Sequence, residues 1–362
     1  MTQLVLLVFF LPPTLSVAET VLKIRTATLL NSEEVVGLNS FFNDIENLTN
    51  GELKFKLVPY GEGSPEGDLL SAVDLGLIDG VFGRADYWSD KHPATILFGS
   101  PIAGAGVGLD NLTFLSWIYY GGGDQLYDQL WEEMNLNVKS FVVQSAGPQS
   151  LGWFKEPIKS VGDLRKRKFK TPSGIVGQTY KDIGISPIYM RLGDILPEFE
   201  KGRIDAVSLC CPKSDLEFGL HELMKNYYLQ GSHNYILNSD LFINGDVYRS
   251  LTSQQKKAIE VSSHASILKH MSLLIFENGK ALEELTENYG VITHDTPIDY
   301  FALYMLGARV ALEKLAAENA FFAEVWQSQK DFAEITIPFS SEKQATKALM
   351  GRLFLKNKII EK

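Results

Sequence analysis

The chain is expected to be α/β, built as two similar lobes that face each other across a cleft and are braced by long carboxyl-terminal helices. Three observations predict this. The motif Gly76-x-Ile78-Asp79-Gly80-Val81 returns as Gly202-x-Ile204-Asp205-Ala206-Val207, each time where a helix ends at a glycine and a short apolar strand begins. Helical and strand patterns alternate through both halves, which is how parallel sheets read in sequence. Past Thr252 the alternation stops and long helical stretches take over.

Taken in order, Val21 to Ala27 alternates like a strand, and Ser32 to Leu48 has the periodicity of a helix with an Asn or Ser cap. Leu53 to Val58 alternates again and is closed by Pro59; a helix from Asp68 to Leu75 and a strand from Leu77 to Phe82 complete a βαβαβ opening. Asp86 to Gly108 is an aromatic, glycine-rich connection. A helix from Leu112 to Tyr120 ends at Gly121-Gly122-Gly123, and Asp124 caps the helix running to Asn135. The glycine triplet follows a helix, whereas phosphate loops follow a strand, so it reads as a tight turn or hinge. Val138 to Val143 is a strand, and Gln144 to Phe154 a loop.

The second lobe then repeats the alternation. The basic run Arg165 to Lys170 enters a strand closed by Pro172, Ser173 to Ile183 is a helix, Pro187 to Arg191 a strand, and Asp194 to Glu200 a helix. Ile204 to Leu209 is a short strand that runs into Cys210, Cys211 and Pro212. Leu216 to Tyr227 reads as helical, and Tyr235 to Asn244 as a strand returning to the first lobe. Long helices follow from Thr252 to Asn288 and from Thr296 to Phe332, and a lysine-rich amphipathic helix from Ser341 to Ile360. Neither long segment holds a strict heptad, so both are expected to pack on the lobes. The division expected is a signal peptide at 1–18, lobe I at 19–143 with a return segment at about 236–280, lobe II at 144–235 with about 281–340, and a terminal helix at 341–362.

A length of 362 residues with 45% hydrophobic content is enough for two buried cores. A formal charge of −10 repels phosphate backbones, which excludes nucleic acid as a partner. Residues 4–11, LVLLVFFL, are too short to span a bilayer, and Ser16-Val17-Ala18 supplies small residues at a cleavage site, although Met1-Thr2-Gln3 carries no basic residue. This is read as a secretory signal. The two cysteines are adjacent: in an oxidising compartment Cys210 and Cys211 can stay as thiols, pair between molecules, or close a strained vicinal disulfide, and as thiols they serve equally well as small buried hydrophobes.

No nucleophile elbow, phosphate loop, zinc-spaced cysteine pair or His-Glu-x-x-His motif occurs, and the six histidines are scattered. Candidate chemistry lies instead at expected strand ends and loops: Gln149 and Trp153 in the loop after the Val138 strand, Lys170, Ser208, and Asp240 on the returning strand. An amide, a cation, a hydroxyl and a carboxylate make a set suited to holding a small carboxylate, with or without a hard metal ion.

Several stretches together resemble the extracytoplasmic solute receptors of tripartite ATP-independent periplasmic (TRAP) transporters, the DctP-like proteins, and in particular the branch that binds 2-oxoacids or lactate with a cation. They are Tyr87-Trp88, Lys91 and Pro93-Ala94; Trp117 with Gly121 to Gly123; Gly147-Pro148-Gln149 with Gly152-Trp153-Phe154; Asp163-Leu164 to Pro172; Gly202 with Ile204 to Ala206; Pro212 with Asp215-Leu216 and Phe218 to His221; and Gly231 and His233 with Ile243-Asn244. The resemblance spans roughly residues 20–340. It implies a periplasmic-binding-protein-like fold, a receptor without catalysis, a membrane permease as partner, and a homodimer through the carboxyl-terminal helix. It also implies substrate contacts at Gln149, Lys170, Ser208, Leu209, Asp240, Tyr87 and Trp153, and a sodium or calcium ion held by Gln149, Ser208 and Asp240. Three positions depart from the pattern. Lys170 stands where the family has an arginine clamp, Ser208 where it has a glutamate, and Leu209 where it has a tryptophan. Asp240 falls where a Glu or Gln is usual. The expected function is capture of a small organic acid in the periplasm and its delivery to the permease; a ligand-sensing receptor uncoupled from transport would share the same features.

Overall fold

The computed structural model describes residues 19–28, 30–58 and 68–360, with side chains to residue 343; the expected signal peptide lies outside them. Among the described residues, eleven strands fall into two sheets: β1 (Thr20–Thr26), β2 (Leu53–Val58), β3 (Gly80–Gly83), β4 (Val138–Ala146), β5 (Gly152–Phe154), β6 (Phe169–Lys170), β7 (Pro187–Ile188), β8 (Ala206–Val207), β9 (Asn226–Tyr228), β10 (Leu237–Asn244) and β11 (Ile292–His294). One sheet has the order β2-β1-β3-β10-β4 and the other β11-β9-β5-β8-β6-β7. We call them lobe I and lobe II. In lobe I, β1 is parallel to β2 and β3, and β10 is antiparallel to β3 and β4.

The local causes are ordinary ones. The Ser32–Leu48 helix starts at a full capping box: Asn31 accepts the Glu34 N–H and Glu34 accepts the Asn31 N–H. Its apolar stripe of Leu38, Phe41, Phe42 and Ile45 packs on Ile24, Leu53, Leu241 and Ile243 of the sheet. Thr252 and Gln255 cap the Ser253–Asn288 helix in the same way, and it runs unbroken past Gly279.

Several elements differ from the sequence reading. β4 extends past Val143 to Ala146, because Gln144 and Ser145 are buried and pair with Ser239 and Asn238 of β10. Gly152–Phe154, read as loop, is the interior strand β5 of lobe II, between β9 and β8. The segment read as one helix from Leu216 to Tyr227 is broken at Gly219 (φ 84°), and its end becomes β9, paired with β5. The region from Thr296 is interrupted at Asn319, whose extended backbone ends the Ile298–Glu318 helix and whose side chain accepts the Phe322 N–H to start the next. That last helix runs from Ala320 to Ile360 through Pro338, so Ser341 lies inside it.

Two short segments, 147–151 and 229–236, carry the chain between the lobes and are tied together; a third passage, from β10 to β11, runs through the Ser253–Asn288 helix. Gln149 donates its N–H to the Asn234 carbonyl (3.0 Å), and its side-chain oxygen accepts from the Asn234 amide (2.7 Å). Gly231 is required here, since a β-carbon would meet the Gln149 carbonyl at 2.3 Å.

Candidate functional site

A cavity of about 520 Å³ lies between the lobes. Lobe I gives it Asn31, Glu33, Glu34, Arg84, Gln144 and Ser239; lobe II gives Cys210, Cys211 and Pro212; the first crossing gives Gly147 to Ser150. A further wall is the Ser253–Asn288 helix, with His270, Met271, Leu274, Ile275 and Leu282. A mostly aliphatic wall opposite a few convergent polar groups is the usual form of a small-molecule site.

Its polar groups are strongly placed. Arg84 sits one residue past β3 and grips Asp86 through Nε (3.0 Å) and Nη2 (2.6 Å). Its ring neighbour is Tyr87, 4.9 Å from the guanidinium carbon. Burial pushes the Glu34 carboxyl up, against the hydrogen bond from Asn31 and the charge of Arg84. Glu33 is buried, and its Oε1, like Oε1 of Gln144, has no hydrogen-bond partner among the described residues. His270 is buried beside Gln144, and burial lowers its pKa to about 4, so it is neutral.

Of the residues expected at the site, Gln149 lines the cavity. Lys170 and Ser208 join it through a hydrogen-bonded chain and not by lining: Lys170 Nζ donates to the Ser208 carbonyl (3.0 Å), and Ser208 Oγ meets His233 Nε2 (3.1 Å), the neighbour of Asn234. Burial lowers the Lys170 pKa, and burial with the Lys170 charge brings His233 to about 3. Leu209 packs half-buried on the lobe II core with Trp153 and Val207.

Three expected residues lie elsewhere. Trp153 is fully buried, stacked on Tyr227 at 4.1 Å and donating to Asp215 (2.8 Å), so it is core. Tyr87 is 41% exposed and does not line the cavity. Asp240 is on the wrong face: β10 shifts register between Ser239 and Asp240, Ser239 faces the cavity, and Asp240 is enclosed on the other side near Tyr127. Burial raises the Asp240 pKa well above its ordinary value, against the pull of Tyr127 and the Ala85 N–H in the opposite direction.

The proposed cation ligands therefore do not converge. Gln149 Oε1 is used by Asn234, Ser208 is a neutral group bonded to His233, and Asp240 faces away. A hard ion needs several oxygens around one point, and this set does not fit one. Among the described residues no group of three or more His, Cys, Asp or Glu side chains is placed to hold a metal.

Sequence reasoning missed Arg84, although the signal was present. The repeated motif leads through β3 to Arg84 as it leads through β8 to Cys210, and both positions line the cavity. Loops at the carboxyl ends of parallel strands are where such sheets bind ligands.

Comparison with known proteins agrees with this arrangement. Residues 28–310 match the family described as bacterial extracellular solute-binding protein, family 7 (DctP). A monocarboxylate 2-oxoacid-binding periplasmic protein of Nostoc is 26% identical over 304 residues, 82% of this chain and 79% of its own length. A TRAP periplasmic solute-binding protein of Pseudoalteromonas atlantica, solved with sodium and pyruvate, superposes with a TM-score of 0.78 at 21% identity, over 92% of this chain and 99% of that one. One from Bordetella bronchiseptica, a dimer with calcium and picolinate in one site, gives 0.80 at 22% identity over 95% and 99%. At that identity the structures show the shared two-lobed fold. No helix among the described residues is long and apolar enough to cross a membrane. The chain belongs to the DctP family of bacterial extracellular solute-binding proteins, which are receptors and not enzymes.

Proposed function

We propose that this chain is the periplasmic receptor of a TRAP transporter and takes a small monocarboxylate between its lobes without a metal ion. The observation that carries the reading is the interlobe cavity with an arginine on its wall, spanned by two crossings tied at Gln149 and Asn234. Such a pair can hinge, so that ligand contacts in both lobes favour the closed form. Arg84 is the anchor for the carboxylate, because it lines the cavity, while Lys170 acts from behind through Ser208. Gln149 and Ser239 supply hydrogen bonds, and the aliphatic helix face receives the rest of the acid. Residues 1–18 direct export and are removed.

The test is thermal melting against pyruvate, longer 2-oxoacids, lactate and dicarboxylates, each with and without sodium or calcium. An acid at 100 times its dissociation constant adds about 2.7 kcal/mol of stability. A shift from one monocarboxylate that is indifferent to the cation is expected; it is lost in Arg84→Gln and reduced in Lys170→Met. No shift with any acid, or one seen only with the cation, defeats the reading. We also propose that the Ala320–Ile360 helix pairs two copies, since Ile335 and Phe339 on it are 77% and 69% exposed. Sedimentation should show a dimer that truncation after residue 334 converts to monomer; a monomeric full chain rules this out.

A further inference from the structure

The cavity wall holds two sulfurs that solute binding does not use. The Sγ atoms of Cys210 and Cys211 are 2.9 Å apart, and both residues line the cavity. Chain neighbours in extended backbone send their side chains to opposite faces, so two adjacent sulfurs this close beside an extended Cys211 (φ −159°, ψ 163°) are a departure from the ordinary strand arrangement. The Cys210 backbone is held on both sides. The Cys210 carbonyl accepts the Ser150 N–H (2.9 Å) and hydroxyl (3.1 Å), and the Cys210 N–H donates to Asp215 (3.1 Å). Asp215 is itself fixed by Trp153 and Tyr227, at 2.8 Å each.

We propose that Cys210 and Cys211 are a modification site, a vicinal dithiol that closes reversibly to a disulfide by exchange with a small-molecule or protein disulfide. One cysteine sulfur, its proton released to solvent, attacks the oxidant's S–S bond and expels half of it as a thiol. The second cysteine sulfur then attacks the mixed disulfide, forming the Cys210–Cys211 bond and releasing the other half as a thiol. Two protein S–H bonds are lost, one S–S bond forms, and the oxidant gains both hydrogens. Closure draws the sulfurs from 2.9 Å to a bond of about 2.05 Å while the Cα atoms stay nearer than the usual disulfide range, so the ring is strained and easily reduced. The strain falls on the Cys210 carbonyl, which holds Ser150 beside the Gln149 hinge tie. The oxidation state of the pair is thereby felt at the crossing between the lobes.

The mature chain, equilibrated with mixtures of reduced and oxidised glutathione, is quenched with an alkylating agent and digested with trypsin, which leaves both cysteines on the Ile204–Lys213 peptide. The expected result is an all-or-none change from two alkyl groups to none, with the oxidised peptide lighter by two hydrogens. Cys210→Ser and Cys211→Ser, which have no second sulfur to resolve the intermediate, should each remain as a glutathione adduct. Wild-type protein that keeps two reactive thiols at the oxidising end, accumulates the adduct, or cross-links between chains overturns the proposal. Hydrogen exchange at the Ser150 amide reads the coupling: it should be faster in the oxidised form, and an unchanged rate overturns the link to the hinge.

Discussion

Strand β3 in lobe I and strand β8 in lobe II sit between equivalent neighbours. β3 pairs Val81 with Arg25 of the parallel strand β1 and with Phe242 of the antiparallel strand β10; β8 pairs Val207 with Lys170 of β6 and with Trp153 of β5. Beyond these, β2 flanks β1 as β7 flanks β6, and β4 flanks β10 as β9 flanks β5. Each β3-type strand follows a left-handed glycine, Gly76 at φ 67° and Gly202 at φ 66°. The antiparallel strand of each lobe adjoins a crossing: β5 follows the first and β10 follows the second. One plan thus builds both halves, and its matched positions Arg84 and Cys210 meet at the cavity. What differs is chemistry: lobe I presents a cation there, and lobe II a dithiol.

The matched pair Phe242 and Trp153 gives the sharpest way to break this comparison. Both are fully buried. Phe242 lies edge-on to Trp88 and Trp131 and makes only apolar contacts, whereas Trp153 also satisfies Asp215. Either truncation to alanine costs about 3 to 5 kcal/mol from the lost side chain and the cavity left behind. Trp153→Ala should cost about 1 to 3 kcal/mol more, because it removes a donor from a buried carboxyl group. Urea unfolding measures both, and an equal or larger loss for Phe242→Ala would mean that the two cores are not held differently.

Much of this plan was legible in the sequence because its punctuation is chemical. Gly76 and Gly202 must be glycine at positive φ, and the apolar strands after them announce a sheet. β5 and β9 were not legible, since three-residue strands have no periodicity and are strands only because a neighbour pairs with them. The site was read less well than the fold. Asp240 and Ser239 are one residue apart, and a register shift decides which of them faces the cavity; no local pattern encodes that. Trp153 in a Gly-rich stretch looks like a ligand platform until its stacking on Tyr227 is seen.

Two buried histidines, one on each side of the molecule, sharpen the comparison electrostatically. His233 in lobe II is lowered to about 3 by burial and by Lys170; His270, packed on lobe I, is lowered to about 4 by burial alone. Both are neutral when folded, while in the unfolded chain they take up protons below about pH 6.5. Their stabilising contribution is therefore whole above pH 6.5 and is lost as the pH falls toward 4 or 3. Asp215, raised to about 6 by burial, works in the opposite sense: its contribution is present at low pH and is lost as the pH rises from about 4 to 6. The informative quantity is the difference between variant and parent. From pH 6.5 to 4.5, His233→Gln and His270→Gln should each lose on the order of 2 kcal/mol less than the parent. In the parent chain, Lys170→Met alone should bring His233 up toward His270, visible as an NMR titration; no movement would remove Lys170 from the cause.

The smallest effect tests the repeat most directly. Asp79 accepts the backbone N–H of Lys23 at 2.8 Å, and Asp205 accepts that of Lys168 at 2.8 Å, each tying the strand of the motif to its parallel neighbour. Their carbonyls are matched as well, taking the N–H of Asn244 at 3.0 Å and of Lys155 at 2.9 Å. The aspartate recurs because this corner leaves one strand amide without a ladder partner, and a side-chain oxygen three residues past the turn glycine reaches it. Both sites are wet, so each bond contributes only about 0.5 to 1.5 kcal/mol. Asp79→Ala and Asp205→Ala should therefore cost the same to within about 0.5 kcal/mol, and asparagine, which keeps the accepting oxygen, should restore most of the loss at either position. A cost confined to one lobe, or asparagine variants no better than alanine, would show that the shared motif marks two unrelated turns and that the matched geometry of the sheets arises elsewhere.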